Sequence, residues 1–181
     1  MKVTETHLKG CFVIEPKVFH DERGLFFESF QKDKLEKELG LTLNFVQDNQ
    51  SISKQGVLRG LHFQEGDHAQ AKLVQVVKGE VLDVIVDLRK NSATFGEHIT
   101  IELSDTNKKS IYIPKDMAHG FVVRSIEAIF AYKCDAYYHQ ASERGLIYND
   151  STLGIDWEYP LEKMILSEKD AALPTLKEVY S

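Results

Sequence analysis

The sequence is sparing with the residues that mark a secreted, membrane-bound or nucleic-acid-binding chain. Cysteine occurs only twice in 181 residues, at Cys11 and Cys134, in neither a redox nor a metal-binding spacing. Both are therefore read as reduced thiols of a cytoplasmic protein. The four prolines are scattered. No linker, low-complexity tract or internal repeat divides the chain, which is read as one domain over 1–181. No apolar run approaches the length of a membrane-spanning helix. The opening "MKVTETHLKG" has no apolar core of the kind a signal peptide carries. Positive charge is in deficit, 22 Lys and Arg against 28 Asp and Glu, for a net charge of −6. A general binder of nucleic acid or membrane surfaces would show a basic field. A local basic pocket for an anionic small molecule is still allowed.

Helix signals are also few. "QKDKLEKEL" (31–39) sets Leu35 and Leu39 four apart among charges, and Gly40 follows as a natural stop. "SEKDAAL" (167–173) predicts a short helix opened by Ser167, with Asp170 three residues on in a capping-box pattern. Most of the remainder reads as strand. "KLVQVV" (72–77) and "EVLDVIVDL" (80–88) flank Lys78-Gly79, which predicts a two-residue hairpin. In the second segment Leu82, Val84, Val86 and Leu88 share one face, and Val81, Asp83, Ile85 and Asp87 the other. "HITIEL", "KSIYIP", "GFVVRS" and "AIFAYKCDAYY" continue the pattern. Many short, regularly spaced strands predict a mainly β sandwich or barrel with an interior where polar side chains can meet a ligand.

The chemistry concentrates in "GVLRGLHFQ" (56–64), where Arg59 and His62 stand among Val57, Leu58, Leu61 and Phe63. Such groups are rarely buried without a partner, so they face either solvent or a cavity that uses them. Three apart, they fall on opposite faces of a regular strand; a bulge at Gly60 would bring both inward. Gly56 and His62 open like the metal-binding motif of cupins, but Gln64 stands where the second His belongs and no Glu follows at the required place. "PKDMAH" resembles the second cupin motif, with Asp116 replacing its glycine and His119 kept. Two of four ligands remain, too few for a catalytic zinc or iron site. The resemblance is to a cupin-like double-stranded β-helix, a jelly-roll barrel, that has lost its metal. No cofactor is expected.

Seven segments in order, from "DERGLFFESF" (21–30) and "FVQDNQSIS" (45–53) through "GVLRGLHFQ", "QAKLVQVVKGEVLDVIVDLR" (70–89), "IPKDMAHGF" (113–121) and "YKCDAYY" to "LSEKD" (166–170), resemble the dTDP-4-dehydrorhamnose 3,5-epimerase family. The resemblance implies a homodimer of metal-free cupin-like subunits acting on a dTDP-4-keto-6-deoxyhexose. The hydrogens at C3 and C5 of such a sugar are acidic because each is α to the ketone. Epimerisation then needs a base, an acid on the opposite side, and a group that stabilises the enolate. The resemblance implies His62 as base, Asp170 as its orienting carboxylate, Tyr132 as acid and Lys72 at the oxyanion. From the residues alone, His62 is equally a satisfied structural imidazole, Asp170 a helix cap, Tyr132 a core aromatic and Lys72 a solvated strand end. Arg23, Arg59 and Lys169 are candidate pyrophosphate partners. By resemblance, Glu28, Gln47, Asp48, Asn49, His119 and Glu143 join the nucleotide and sugar contacts, Tyr138 stacks on thymine, and Phe26 comes from the partner subunit. Asp116, Met117 and Arg124 depart from the family pattern and bear on nucleotide or sugar preference. The rival readings are an epimerase acting at one carbon, a metal-dependent cupin and a non-catalytic sugar-binding cupin.

Overall fold

Apolar–polar alternation along most of the chain resolves into strands. The computed structural model describes residues 1–180. In chain order these form β1 (Lys2–Glu5), β2 (Phe12–Glu15), β3 (Val18–Asp21), β4 (Gly24–Phe27), α1 (Lys32–Leu39), β5 (Gln47–Lys54), β6 (Leu58–Gln64), β7 (Lys72–Lys78), β8 (Glu80–Asp87), β9 (His98–Ser104), β10 (Ser110–Ile113), β11 (Met117–Val123), β12 (Glu127–Cys134), β13 (Glu143–Gly145), α2 (Glu168–Ala171) and α3 (Leu176–Tyr180). One sheet runs β1-β2-β10-β7-β12-β5 and the other β13-β6-β11-β8-β9, while β3 and β4 pair apart as a ribbon. This is the mainly β, cupin-like architecture expected, with few and short helices. α1 ends at Gly40 as the sequence predicts, whereas α2 is shorter than the expected 167–173. Gln31 Oε1 accepts the Lys34 N–H at 2.5 Å, and the Gly40 N–H closes α1 on Glu36 O at 2.9 Å.

The predicted hairpin at Lys78-Gly79 is corrected. β7 pairs with β10 and β12 in one sheet, whereas β8 pairs with β11 and β9 in the other. A two-residue hairpin of the favoured type needs positive φ at both central residues. Here only Gly79 has it, at +80°. Its N–H donates to Asp105 Oδ2 at 2.7 Å, and a Cβ on it would lie 2.2 Å from Glu127 O. Lys78-Gly79 is thus a corner at which the chain passes from one sheet to the other.

That crossing gives β8 its two apolar faces. Val81 and Ile85 join Val74, Ile111, Phe121 and Phe130 between the sheets. Leu82, Val84, Val86 and Leu88 form the opposite face, covered by Leu146, Leu153, Trp157 and Leu176 of the C-terminal segment. A third cluster packs Leu35 and Leu39 of α1 against Ile14, Leu73 and Tyr112 on the first sheet.

Candidate active site

Strand β6, which carries Arg59 and His62, is irregular where these two groups must share a face. Along β11, His119 opposes His62 and Phe121 opposes Arg59, so two steps on β11 match three on β6. The additional residue is a bulge at Gly60, whose φ is +134° and whose Cβ, if present, would lie 2.5 Å from Gly120 Cα. The bulge brings Arg59 and His62 to one cavity of about 530 Å³.

That cavity collects side chains from seven elements and a loop. Besides β6, β5 supplies Gln47 and Asn49, β7 Lys72, β11 His119, β12 Tyr132 and β13 Glu143. Tyr138 comes from the loop after β12, and Lys169 and Asp170 from α2. His62 Nε2 lies 2.7 Å from Asp170 Oδ1. Burial raises the Asp170 carboxyl, but the hydrogen bond and charge of His62, with the Gly60 N–H and Lys169, leave it below the usual carboxylate value. Asp170 is both capped by Ser167 and paired with His62, through different atoms. Its N–H donates to Ser167 Oγ at 3.1 Å while its carboxylate turns to His62.

Burial sets the remaining chemistry. It raises the Tyr132 phenol, keeping the proton on the oxygen, and lowers the Lys72 ammonium. At the cavity mouth Tyr138 OH donates to Glu143 Oε2 at 2.8 Å, and Lys169 Nζ pairs with the same carboxylate oxygen at 2.6 Å. Burial raises Glu143, yet these two partners hold it below the usual range. Arg59, 3.0 Å from Ser53 Oγ through Nε, adds a guanidinium. A chain with net charge −6 therefore holds Arg59, Lys72 and Lys169 around one cavity.

Four expected residues lie outside it. The Asp48 carboxylate pairs with Lys133 Nζ at 2.9 Å, and Glu28 with Lys34 at 2.5 Å. Arg23 pairs with Asp21 at 2.6 Å on the β3–β4 ribbon, where Phe26 is 65% exposed. Asp116, Met117 and Arg124 also do not line the cavity. Asp116 sits in a turn at φ +62°, Met117 is core, and Arg124 pairs with Glu158 at 2.5 Å.

One carboxylate escaped assignment. Asp83 is fully buried, and its Oδ1 lies 2.7 Å from His119 Nε2. Burial raises it against the pull of His119 and Lys72, and its Oδ2 has no hydrogen-bond partner. The alternation in "EVLDVIVDL" placed Asp83 on the same face as Val81 and Ile85, which was the available signal. The donor set does not suit a metal. The Gln64 side chain, standing where a ligand would, bonds to backbone, and among the described residues no three His, Cys, Asp or Glu converge.

The sequence profile of the dTDP-4-dehydrorhamnose 3,5-epimerase family matches residues 5–178. A protein of that name from Salmonella typhimurium is 48% identical over 178 residues, covering 98% of this chain and 97% of its own length. The crystal structure of the enzyme so named from Elizabethkingia anophelis superposes with a TM-score of 0.95 at 54% identity, covering 98% of this chain and 97% of that one. A dTDP-6-deoxy-D-glucose-3,5-epimerase from Legionella pneumophila, solved in complex with dTDP-4-keto-L-rhamnose, gives 0.93 at 50% identity, with 97% and 93% covered.

Proposed function

The chain belongs to the dTDP-4-dehydrorhamnose 3,5-epimerase family, and from that premise we propose how its cavity works as an isomerase of sugar nucleotides. The substrate is dTDP-4-keto-6-deoxy-D-glucose, inverted at C3 and C5 to dTDP-4-keto-L-rhamnose. The observation that carries the residue roles is the convergence of the His62–Asp170 pair, Tyr132 and Lys72 on one cavity.

His62 gives Nε2–H to Asp170 and keeps the Nδ1 lone pair for the substrate. It removes the proton α to the ketone, and Asp170 stabilises the resulting imidazolium. The electron pair moves to the C4 oxygen, where the Lys72 ammonium donates to the enolate. Tyr132, kept protonated by its burial, returns a proton to the carbon from the other side, and the ring recovers the ketone with inverted configuration. Before the second carbon reacts, His62 gives its proton to solvent and Tyr132 takes one back, so each carbon is inverted in its own cycle. Arg59 and Lys169 take the pyrophosphate, and the exposed ring of Tyr138 takes the thymine by stacking. His119, oriented by Asp83, lies within the sugar site. No step calls on a metal or a redox cofactor.

The test is proton exchange. Incubated with dTDP-4-keto-6-deoxyglucose in D₂O, the protein should place deuterium at both C3 and C5 of the product, read by NMR. Label at one carbon only would make it a single-carbon epimerase, and label at neither would end the base assignment.

A further inference from the structure

Gln64 stands where a cupin would place a metal-ligating histidine, and it is 4% exposed. A buried primary amide must satisfy two donors and an acceptor. Here Nε2 donates to His68 O at 2.7 Å and to Tyr137 O at 3.4 Å, and Oε1 accepts the His139 N–H at 2.6 Å. All of these partners are backbone groups, and they belong to two loops. One is the turn Gly66–His68 after β6, and the other is the segment joining β12 to β13. The same loops touch again where the His68 and His139 rings stack, with centroids 3.8 Å apart and planes 10° from parallel.

The second loop carries Tyr138 between the two residues that Gln64 holds. It ends at Glu143, the partner of Tyr138 OH and Lys169, and Glu143 lies opposite Gln64 in the β6–β13 ladder. Tyr138 is 52% exposed, so little apolar packing fixes its ring. We propose that Gln64 is a positioning residue for nucleotide recognition: its amide clamps the 137–139 backbone and so sets the Tyr138 ring and the Glu143 carboxylate where the base and the cationic groups need them. The clamp requires an amide. A glutamate would turn an oxygen toward the carbonyls of His68 and Tyr137, and an apolar side chain would leave three backbone groups unpaired. The inference rests on the reading of Tyr138 as the thymine platform.

The experiment is a double-variant cycle on the full chain, read by dTDP titration and by steady-state kinetics with dTDP-4-keto-6-deoxyglucose. Gln64→Met, close in volume, should raise the dTDP Kd and the substrate KM by about tenfold and change kcat much less. Gln64→Glu, which keeps the bond from the His139 N–H, should do at least as much harm, and it carries the test if Gln64→Met does not fold. In a Tyr138→Ala background the Gln64 substitution should add little, because both act through one ring. Multiplicative effects, or a fall in kcat at unchanged KM, would overturn the proposal and make Gln64 an independent substrate contact or a support for His62. Normal Kd in Gln64→Met beside weakened binding in Tyr138→Ala overturns the clamp alone. Normal Kd in Tyr138→Ala overturns the platform reading, and the clamp with it.

Discussion

Asp170 shows how one residue can satisfy two sequence patterns at once. Its main chain is capped by Ser167 and its side chain partners His62, so substitution separates the two roles. Asp170→Asn should lower kcat by about 10²–10⁴ by removing the charge behind the imidazolium, with dTDP affinity nearly kept. Ser167→Ala should instead cost about 1 kcal/mol of stability and far less of the rate. A thermal melt and a kinetic assay on both variants tell them apart. Normal turnover with a lowered Tm in Asp170→Asn would leave only the cap. Tyr132 is tested by product configuration. Tyr132→Phe should still exchange substrate hydrogen with D₂O through His62, yet return much of it with configuration unchanged, because the proton can re-enter only from the side it left. Parent-rate epimerisation by that variant would reduce Tyr132 to packing.

Individual elements were legible where their signal is local. The stop of α1 at Gly40, the start of α2 at Ser167, the face parity of β8 and the bulge at Gly60 all follow from residues a few positions apart. The hairpin at Lys78-Gly79 misled because a glycine between strands marks a turn without saying which sheet receives the next strand. The pairing of β8 with β11 and β9 depends on contacts distant in sequence. The end of β8 offers a stability test. Asp87 is fully buried and accepts from Arg89 Nη2 at 2.7 Å, Ser92 Oγ at 2.6 Å and Thr94 Oγ1 at 2.6 Å. Burial raises its carboxyl, but the hydrogen bonds from Arg89, Ser92 and Thr94 outweigh it and hold the group well below the usual range. A depressed folded-state value stabilises the fold above the unfolded value near ~3.9 and loses that contribution as pH falls through the folded one. Asp87→Asn should therefore cost about 3 kcal/mol at neutral pH. In urea melts at several pH values, the gap between variant and parent should narrow below about pH 4. A gap independent of pH would mean that shape, and not charge, matters there.

At the scale of the whole molecule, the β3–β4 ribbon pairs apart from both sheets and leaves several apolar side chains uncovered. Phe19, Leu25 and Phe26 are 50%, 48% and 65% exposed, and Arg23 stands beside them. We expect the ribbon to complete the cavity of a second subunit in a symmetric dimer. Phe26→Ala and His62→Ala should each lose most activity, and co-expression of the two should restore about a quarter of the parent level, since a quarter of all sites would pair an intact cavity with an intact ribbon. No recovery, or a monomer by light scattering, would refute this. The same scale governs the metal question. With Gln64 tied to backbone and, among the described residues, no third ligand beside His62 and His119, dialysis against EDTA should leave turnover unchanged.

What the sequence determined by itself was the class of fold and the family, and it nominated the candidate reactive groups. Alternation, turn residues and ordered motifs are carried by neighbours along the chain. The tertiary structure decided which groups meet. His62 and Asp170 are joined across 108 positions and His119 and Asp83 across 36; no local pattern encodes such distances. It also separated Asp48 from Gln47 and Asn49, since successive side chains of a strand point to opposite sides. And it turned Gln64 from a missing metal ligand into a tether between two loops, because a buried amide has to find its partners wherever the fold brings backbone within reach.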